Sequence, residues 1–140
     1  MQVREIMRKR PYVVTCSPND FVTEAAKKMN EYNIGCILVT ENGSLKGILT
    51  DRDITLSVVA EGKNPNEVHL YEIMKTDVVT GRPDWDLSEA IRLMAEKKIH
   101  RLPIEANGRL EGFISLADVA PIVRGELDSF LEIEESPVSH

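Results

Sequence analysis

The chain has 140 residues, 42% hydrophobic and 29% charged, with a formal net charge of −6 at pH 7. That length and balance describe one ordinary globular domain, or two half-size units that must bury their cores against each other. They exclude a transmembrane helix, since no apolar run approaches the roughly 18 residues required, and they disfavour a nucleic-acid binder, which shows a basic face.

The N-terminal stretch MQVREIMRKRPYVV has no apolar core followed by a small-residue cleavage site. No secretory signal is expected, and the cytoplasm is the expected compartment. A short helical turn is predicted over 3–7, with Arg8, Lys9 and Arg10 as a solvated helix end. A short strand ends at Thr15, and a turn at Pro18 opens an amphipathic helix in which Val22, Ala25, Ala26 and Met29 share a face. Phe21 holds its cap position, a weak start. A strand over 36–40, the turn Asn42-Gly43 and a strand over 45–49 form a hairpin. A helix over 51–61 follows and is stopped by Gly62.

The second half repeats this order. A helical turn over 68–74 leads to a strand ending at Thr80, then Pro83 and a helix with Leu87, Ala90, Ile91 and Met94 on one face. Asp86 and Glu89 have the spacing of a capping box. A strand over 101–105, the turn Asn107-Gly108, a strand over 110–114 and a helix from 116 to about 124, stopped by Gly125, complete it. The tail is acidic (Glu126, Asp128, Glu132, Glu134, Glu135), and its end, Ser136 to His140, is expected to be disordered.

A shift of 65 residues brings the halves into register. Val13-Val14-Thr15 falls on Val78-Val79-Thr80, Glu24-Ala25 on Glu89-Ala90, Asn42-Gly43 on Asn107-Gly108, Gly47 on Gly112 and Asp53 on Asp118. Glu5-Ile6-Met7 echoes Glu72-Ile73-Met74 at a shift of 67. This is a tandem duplication. The expected organisation is a first repeat over 1–62, a linker over 63–67, a second repeat over 68–125 and a tail over 126–140. The fold class is α/β (α+β), with the order β-α-β-β-α twice. The second helices are apolar round more than one face (Ile54, Leu56, Val58, Val59; Val119, Ala120, Ile122, Val123), so they require partners in the other repeat or a second chain.

Cys16 and Cys36 lack CxxC spacing and read as reduced thiols, and three scattered histidines without HExxH give no metal set. The informative pairs are Thr50 with Asp53, in GILTDRD, and Ser115 with Asp118, in GFISLAD, each where a strand hands over to a helix. A hydroxyl at N-cap and an acid at N3 make a capping box, which alone accounts for both. The same position also suits an anion: free backbone N–H groups and the helix dipole favour a phosphate, and an aspartate one turn in can accept hydrogen bonds from two ribose hydroxyls. Both roles stand at this point.

The motifs VREIM, VVT-x-x-P, NIGCILV, IHRLPI, the Asn-Gly turns, GILTDRD and GFISLAD, recurring in order, resemble a tandem pair of CBS domains, the module first recognised in cystathionine β-synthase. The resemblance covers the chain from about Val3 to Val123. It implies two repeats packed through their sheets with pseudo-twofold symmetry, leaving two clefts that in many members bind AMP, ADP, ATP or S-adenosylmethionine. By the resemblance, Asp53 and Asp118 hold ribose hydroxyls and Thr50 and Ser115 lie near phosphate. Thr15 and Thr80, with the backbone of Gly35 to Ile37 and of Arg101 to Pro103, line the adenine slot. KKIHRLPI looks like the His-Arg phosphate-binding strand in the gamma subunit of AMP-activated protein kinase, which makes His100 and Arg101 phosphate candidates.

Copy one has Gly35-Cys36 in place of His100-Arg101 and carries Arg52 where copy two has Ala117. Arg52 either reaches a phosphate or is solvated. The expectation is a better site centred on Asp118 and a weaker one at Asp53. The chain is thus expected to be a regulatory CBS-pair module, with no cofactor and no chemistry of its own, that homodimerises and signals nucleotide occupancy to another protein. The alternative is an interaction scaffold whose Thr/Ser and Asp pairs only cap helices. An enzyme is disfavoured by the lack of a nucleophile–base pair, a metal set or a P-loop.

Overall fold

A computed structural model describes residues 1–9 and 13–134. The expectations for Arg10, Glu135 and the end over 136–140 fall outside the described residues. In chain order the elements are a 3-10 turn at Val3–Glu5, β1 (Arg8–Lys9), β2 (Thr15–Cys16), α1 (Val22–Tyr32), β3 (Cys36–Glu41), β4 (Ser44–Thr50) and α2 (Asp51–Ile54), which widens into a π-helical turn at Thr55–Val59. Then come α3 (Leu70–Ile73), α4 (Leu87–Lys97), β5 (Arg101–Ala106), β6 (Arg109–Ser115) and α5 (Leu116–Glu134).

Two three-stranded sheets form, in the orders β2-β3-β4 and β1-β6-β5. The hairpins are built as their turns dictate. Asn42 and Gly43 have φ of 54° and 82°, Asn107 and Gly108 54° and 74°, the left-handed pair that matches the strand twist. Each hairpin shifts register at the same point of the repeat, between Val39 and Thr40 and between Ile104 and Glu105. The two turns touch across the pseudo-twofold axis, where the Leu110 amide donates to the Gly43 carbonyl at 2.9 Å and Ser44 Oγ to the Gly108 carbonyl at 3.0 Å.

The repeats do not keep their own leading turns. Val3 is fully buried with Leu87, Ala90, Leu102 and Ile114 of the second repeat, while Val68 and Leu70 pack with Val22, Ile37 and Leu49 of the first. Backbone bonds fix the exchange: the Val3 amide donates to the Trp85 carbonyl (2.9 Å), and the Leu70 amide to the Asp20 carbonyl (2.9 Å). Burying each such Val or Leu is worth about 1.5–3 kcal/mol, so the two sequence repeats form one interlocked body.

Arg8 and Lys9 are consequently not a solvated helix end. They pair antiparallel with Phe113 and Gly112 as an edge strand on the second sheet. The mate of this contact is a single antiparallel bridge between Lys75 and Ile48. Gly47 and Gly112 sit under these crossings. A Cβ at Gly47 would lie 2.9 Å from the Lys75 carbonyl oxygen, and one at Gly112 2.7 Å from that of Arg8.

Four further expectations are corrected. The copy-two strand ending at Thr80 shrinks to one parallel bridge, Gly81 with Ile104. Asp86 caps α4 without a side-chain bond to its amides, because its carboxylate is taken by Ser88 Oγ at 2.6 Å and by the N-terminal ammonium at 3.4 Å. Those same bonds, Ser88 first, hold the Asp86 carboxyl below its ordinary value. The helix over 51–61 is α-helical only to Ile54. Its last turn is wider, with the Ala60 amide on the Thr55 carbonyl, before Gly62 exits at a φ of 67°. Gly125 does not stop α5, which continues to Glu134. No atom outside the helix approaches Gly125 within 4 Å, and the following Glu-Leu-Asp-Ser-Phe-Leu-Glu segment is rich in helix formers.

Candidate functional site

Two clefts lie between the repeats, of about 370 and 280 Å³, near the lower end of the usual small-ligand range of roughly 300–1,000 Å³. They are mates under the duplication. The first takes Val78, Val79, Lys98, Ile99, His100 and Pro103 from repeat two with Ile48 and Thr50 from repeat one. The second takes Val13, Val14, Asn33, Ile34, Gly35 and Leu38 from repeat one with Phe113 and Ser115 from repeat two. Lys75 lines the first and Arg8 the second, at the shift of 67, and Cys36 and Arg101 line both.

Each cleft therefore joins the strand start of one repeat to the strand-to-helix junction of the other. His100 and Pro103 face Thr50 of the opposite sheet, although the backbone of Arg101 pairs with Ser115 in their own hairpin. Hairpin partners lie side by side in one sheet, whereas a cleft is made by surfaces that oppose each other. Of the phosphate candidates, His100 lines the Thr50 cleft, while Arg101 lines the Thr50 cleft and the Ser115 cleft alike.

Both junctions are complete capping boxes. The Asp53 amide donates to Thr50 Oγ1 at 3.2 Å and the Thr50 amide to Asp53 Oδ2 at 2.9 Å. In repeat two the Asp118 amide donates to Ser115 Oγ at 3.2 Å and the Ser115 amide to Asp118 Oδ2 at 3.4 Å. Because each hydroxyl accepts from the helix, its own hydrogen stays available to an anion. The other carboxylate oxygens hold cleft cations. Lys75 Nζ lies 3.6 Å from Asp53 Oδ1 and Arg8 Nη2 3.8 Å from Asp118 Oδ1, with the Asp53 side chain 13% and the Asp118 side chain 31% exposed.

The first cleft carries more basic side chains, although a carboxylate offsets one of them, whereas Arg8 and Arg101 line the second with no carboxylate. Lys75, Lys98, His100 and Arg101 line the first against the single carboxylate of Asp77, beside an apolar wall of Ile48, Val78, Val79, Ile99 and Pro103. Lys98 reaches it from a left-handed C-cap of α4 (φ 56°), and Asn33 enters the second cleft from the matching C-cap of α1 (φ 53°). The Cys36 thiol at the shared wall is pushed up to about 11, chiefly by burial, with the Arg101 charge opposing the shift. It stays neutral near pH 7 and is no nucleophile.

Neither Asp53 nor Asp118 lines a cleft itself, and Ile37, Thr15, Thr80 and Arg52 also lie outside both linings. Ile37 is fully buried in the first core, because strand alternation turns it away from Cys36. Thr15 and Thr80 are half-buried one residue past the lining positions Val14 and Val79, and Arg52 is exposed. Lys75 and Arg8 were not singled out from sequence as cleft residues. Their only signal is the weaker echo at a shift of 67, which ends just before them. Among the described residues no group of three or more His, Cys, Asp or Glu side chains is placed to hold a metal ion, and no helix is long and apolar enough to cross a membrane.

Two clefts related by a pseudo-twofold axis between β-α-β-β-α repeats define a tandem CBS-domain architecture. The chain belongs to the CBS-domain family, which it matches over residues 3–60 and 70–125. It is 44% identical over 108 residues to the CBS domain-containing protein YhcV of Bacillus subtilis, covering 77% of this chain and 76% of that one. It is also similar to the solved structure of a Vibrio cholerae protein named for acetoin utilization (AcuB), with a TM-score of 0.81, 28% identity and 98% of each chain covered. A third relative is the hexameric CBS-CP12 protein of bloom-forming cyanobacteria, with a TM-score of 0.70, 32% identity, and 86% of this chain and 69% of that one covered. Proteins of this CBS-pair type are regulatory or signalling proteins.

Proposed function

We propose that this CBS pair is a regulatory module that binds an adenine nucleotide of the AMP, ADP or ATP class between its repeats and passes occupancy to a partner protein in the cytoplasm. One observation carries the reading: in the first cleft Lys75, Lys98, His100 and Arg101 meet the Thr50 helix start beside an apolar wall. The wall suits a base. The cations, the Thr50 hydroxyl and the dipole of the short helical segment that begins at Asp51 suit a phosphate. Asp53, which caps the helix beside Thr50, is the candidate for the ribose, and Lys75, now on Asp53, would turn to the phosphate as the ribose takes its place. S-adenosylmethionine lacks a phosphate and leaves these cations unused, so nucleotides are favoured.

No chemistry is assigned to the site, since Thr50 is held by its cap and Cys36 is neutral. Self-association is supported by exposed apolar side chains on the second helices, Leu56, Val59, Leu116 and Val123, and a related CBS protein is hexameric. The second reading, a scaffold with empty clefts, is favoured by the complete capping boxes, which give Thr50, Asp53, Ser115 and Asp118 a structural task of their own. A thermal-shift panel with AMP, ADP, ATP and S-adenosylmethionine separates the two. Ligand at 100 times its dissociation constant stabilises by about 2.7 kcal/mol, several degrees in melting temperature. A nucleotide shift that shrinks in His100→Ala supports the sensor. No shift with any of the four supports the scaffold.

A further inference from the structure

The duplication places Cys36 and Arg101 at equivalent positions, each at the start of the first strand of its hairpin, and these two residues line both clefts. The pseudo-twofold axis thus passes a shared wall in which one mate is a neutral thiol and the other a guanidinium. Their proximity shows in the Cys36 thiol, whose pKa Arg101 pulls down against burial. Arg101 is exposed and makes no ion pair among the described residues, while Lys75 and Arg8 are engaged by Asp53 and Asp118. Without Arg101 the first cleft keeps Lys75, Lys98 and His100. The second keeps only Arg8.

From this we infer that Arg101 is a single anion clamp serving two clefts, so that nucleotide binding is anticooperative: the first nucleotide fills the Thr50 cleft and takes the guanidinium, and the second binds without it. The inference rests on the nucleotide reading above and adds the coupling between its two sites. The two ligands also face each other across the Cys36–Arg101 wall, where their charges repel. Coupling of this kind is reciprocal, and it makes the protein respond over a wider concentration range than two equal sites would.

The experiment is an AMP titration of the intact protein by calorimetry, with backbone amide NMR to identify each cleft from Val79 (first) and Val14 (second). Wild type is expected to show two steps, with Val79 moving before Val14. A charge-assisted hydrogen bond lost in Arg101→Gln weakens the first step by about tenfold or more and the second by less than about threefold, so the steps draw together. Arg101→Lys restores part of the gap. Arg101 sits exposed at a strand start, and a melt of each variant without ligand confirms an intact fold. Equal weakening of both steps, or no change in either, overturns the shared clamp while leaving nucleotide binding in place. Absence of AMP uptake by wild type overturns the nucleotide reading itself, and the clamp with it.

Discussion

Alanine at Gly112 tests the interlocked fold and its link to the clefts. The added Cβ meets the Arg8 carbonyl oxygen at 2.7 Å and Met7 Sδ at 2.8 Å. The sulfur can swing away, but the carbonyl belongs to the β1 backbone that pairs with β6. Relief therefore requires β1 to lift from the sheet. Overpacking costs about 1–3 kcal/mol, and each strand bond lost adds about 1 kcal/mol, giving roughly 2–4 kcal/mol. For a chain of this length that lowers the melting temperature by roughly 6–15 °C. Because Arg8 both lines the second cleft and reaches Asp118, hydrogen exchange at Arg8 and Lys9 should accelerate in the same variant. The control is Gly125→Ala, exposed in α5 with nothing within 4 Å, where alanine should be neutral or stabilising by up to about 1 kcal/mol. A Gly112→Ala protein that melts within 1 °C of wild type would refute the exchange of leading turns.

Thr50→Ala and Ser115→Ala each remove a cap acceptor and should cost about 1 kcal/mol in urea unfolding. Of the two, Thr50→Ala alone should weaken nucleotide binding at the first cleft, and a larger loss at that cleft from Ser115→Ala would invert the assignment. The Cys36 thiol, ordinarily at 9.0, stands at about 11 in the fold. A raised acid keeps its neutral form in the native state while the unfolded thiol ionises, so its stabilising effect is full below about pH 9 and is lost as pH rises towards 11. Wild type should lose about 2 kcal/mol between pH 8 and 10.5 that Cys36→Ala does not lose, and parallel profiles would contradict burial of the thiol. Val59→Asp and Val123→Asp, on exposed apolar positions of the second helices, should shift the protein to monomer in light scattering with the melting curve of an isolated domain preserved. Unchanged mass would place any interface elsewhere.

The duplication made most of the fold legible, because local signals recur in register: two Asn-Gly turns, two hydroxyl–aspartate caps and two apolar helix faces form where the sequence puts them, except that Ala26, expected on the first face, is exposed while Val22, Ala25 and Met29 are buried. The exchange of the leading turns was hidden. Val3 and Val68 are apolar either way, and nothing local says which core receives them. Gly47 and Gly112 were visible as matched glycines, but the reason for them is a strand that crosses from the other repeat. The same non-local geometry rearranged the site. His100 is beside Ser115 along the chain's hairpin, yet opposed sheets bring it to Thr50, and Arg101 serves both clefts. Gly125 failed as a stop signal because an exposed helix meets no packing there that would bend it away.

The most direct test of the nucleotide cleft is a backbone NMR titration of the wild-type protein with AMP. Saturable shifts concentrated at Ile48, Thr50, Val79, Ile99 and His100 are the predicted result, since these positions line the first cleft and not the second. Shifts that stay absent up to millimolar AMP, or that gather away from these residues, would contradict it.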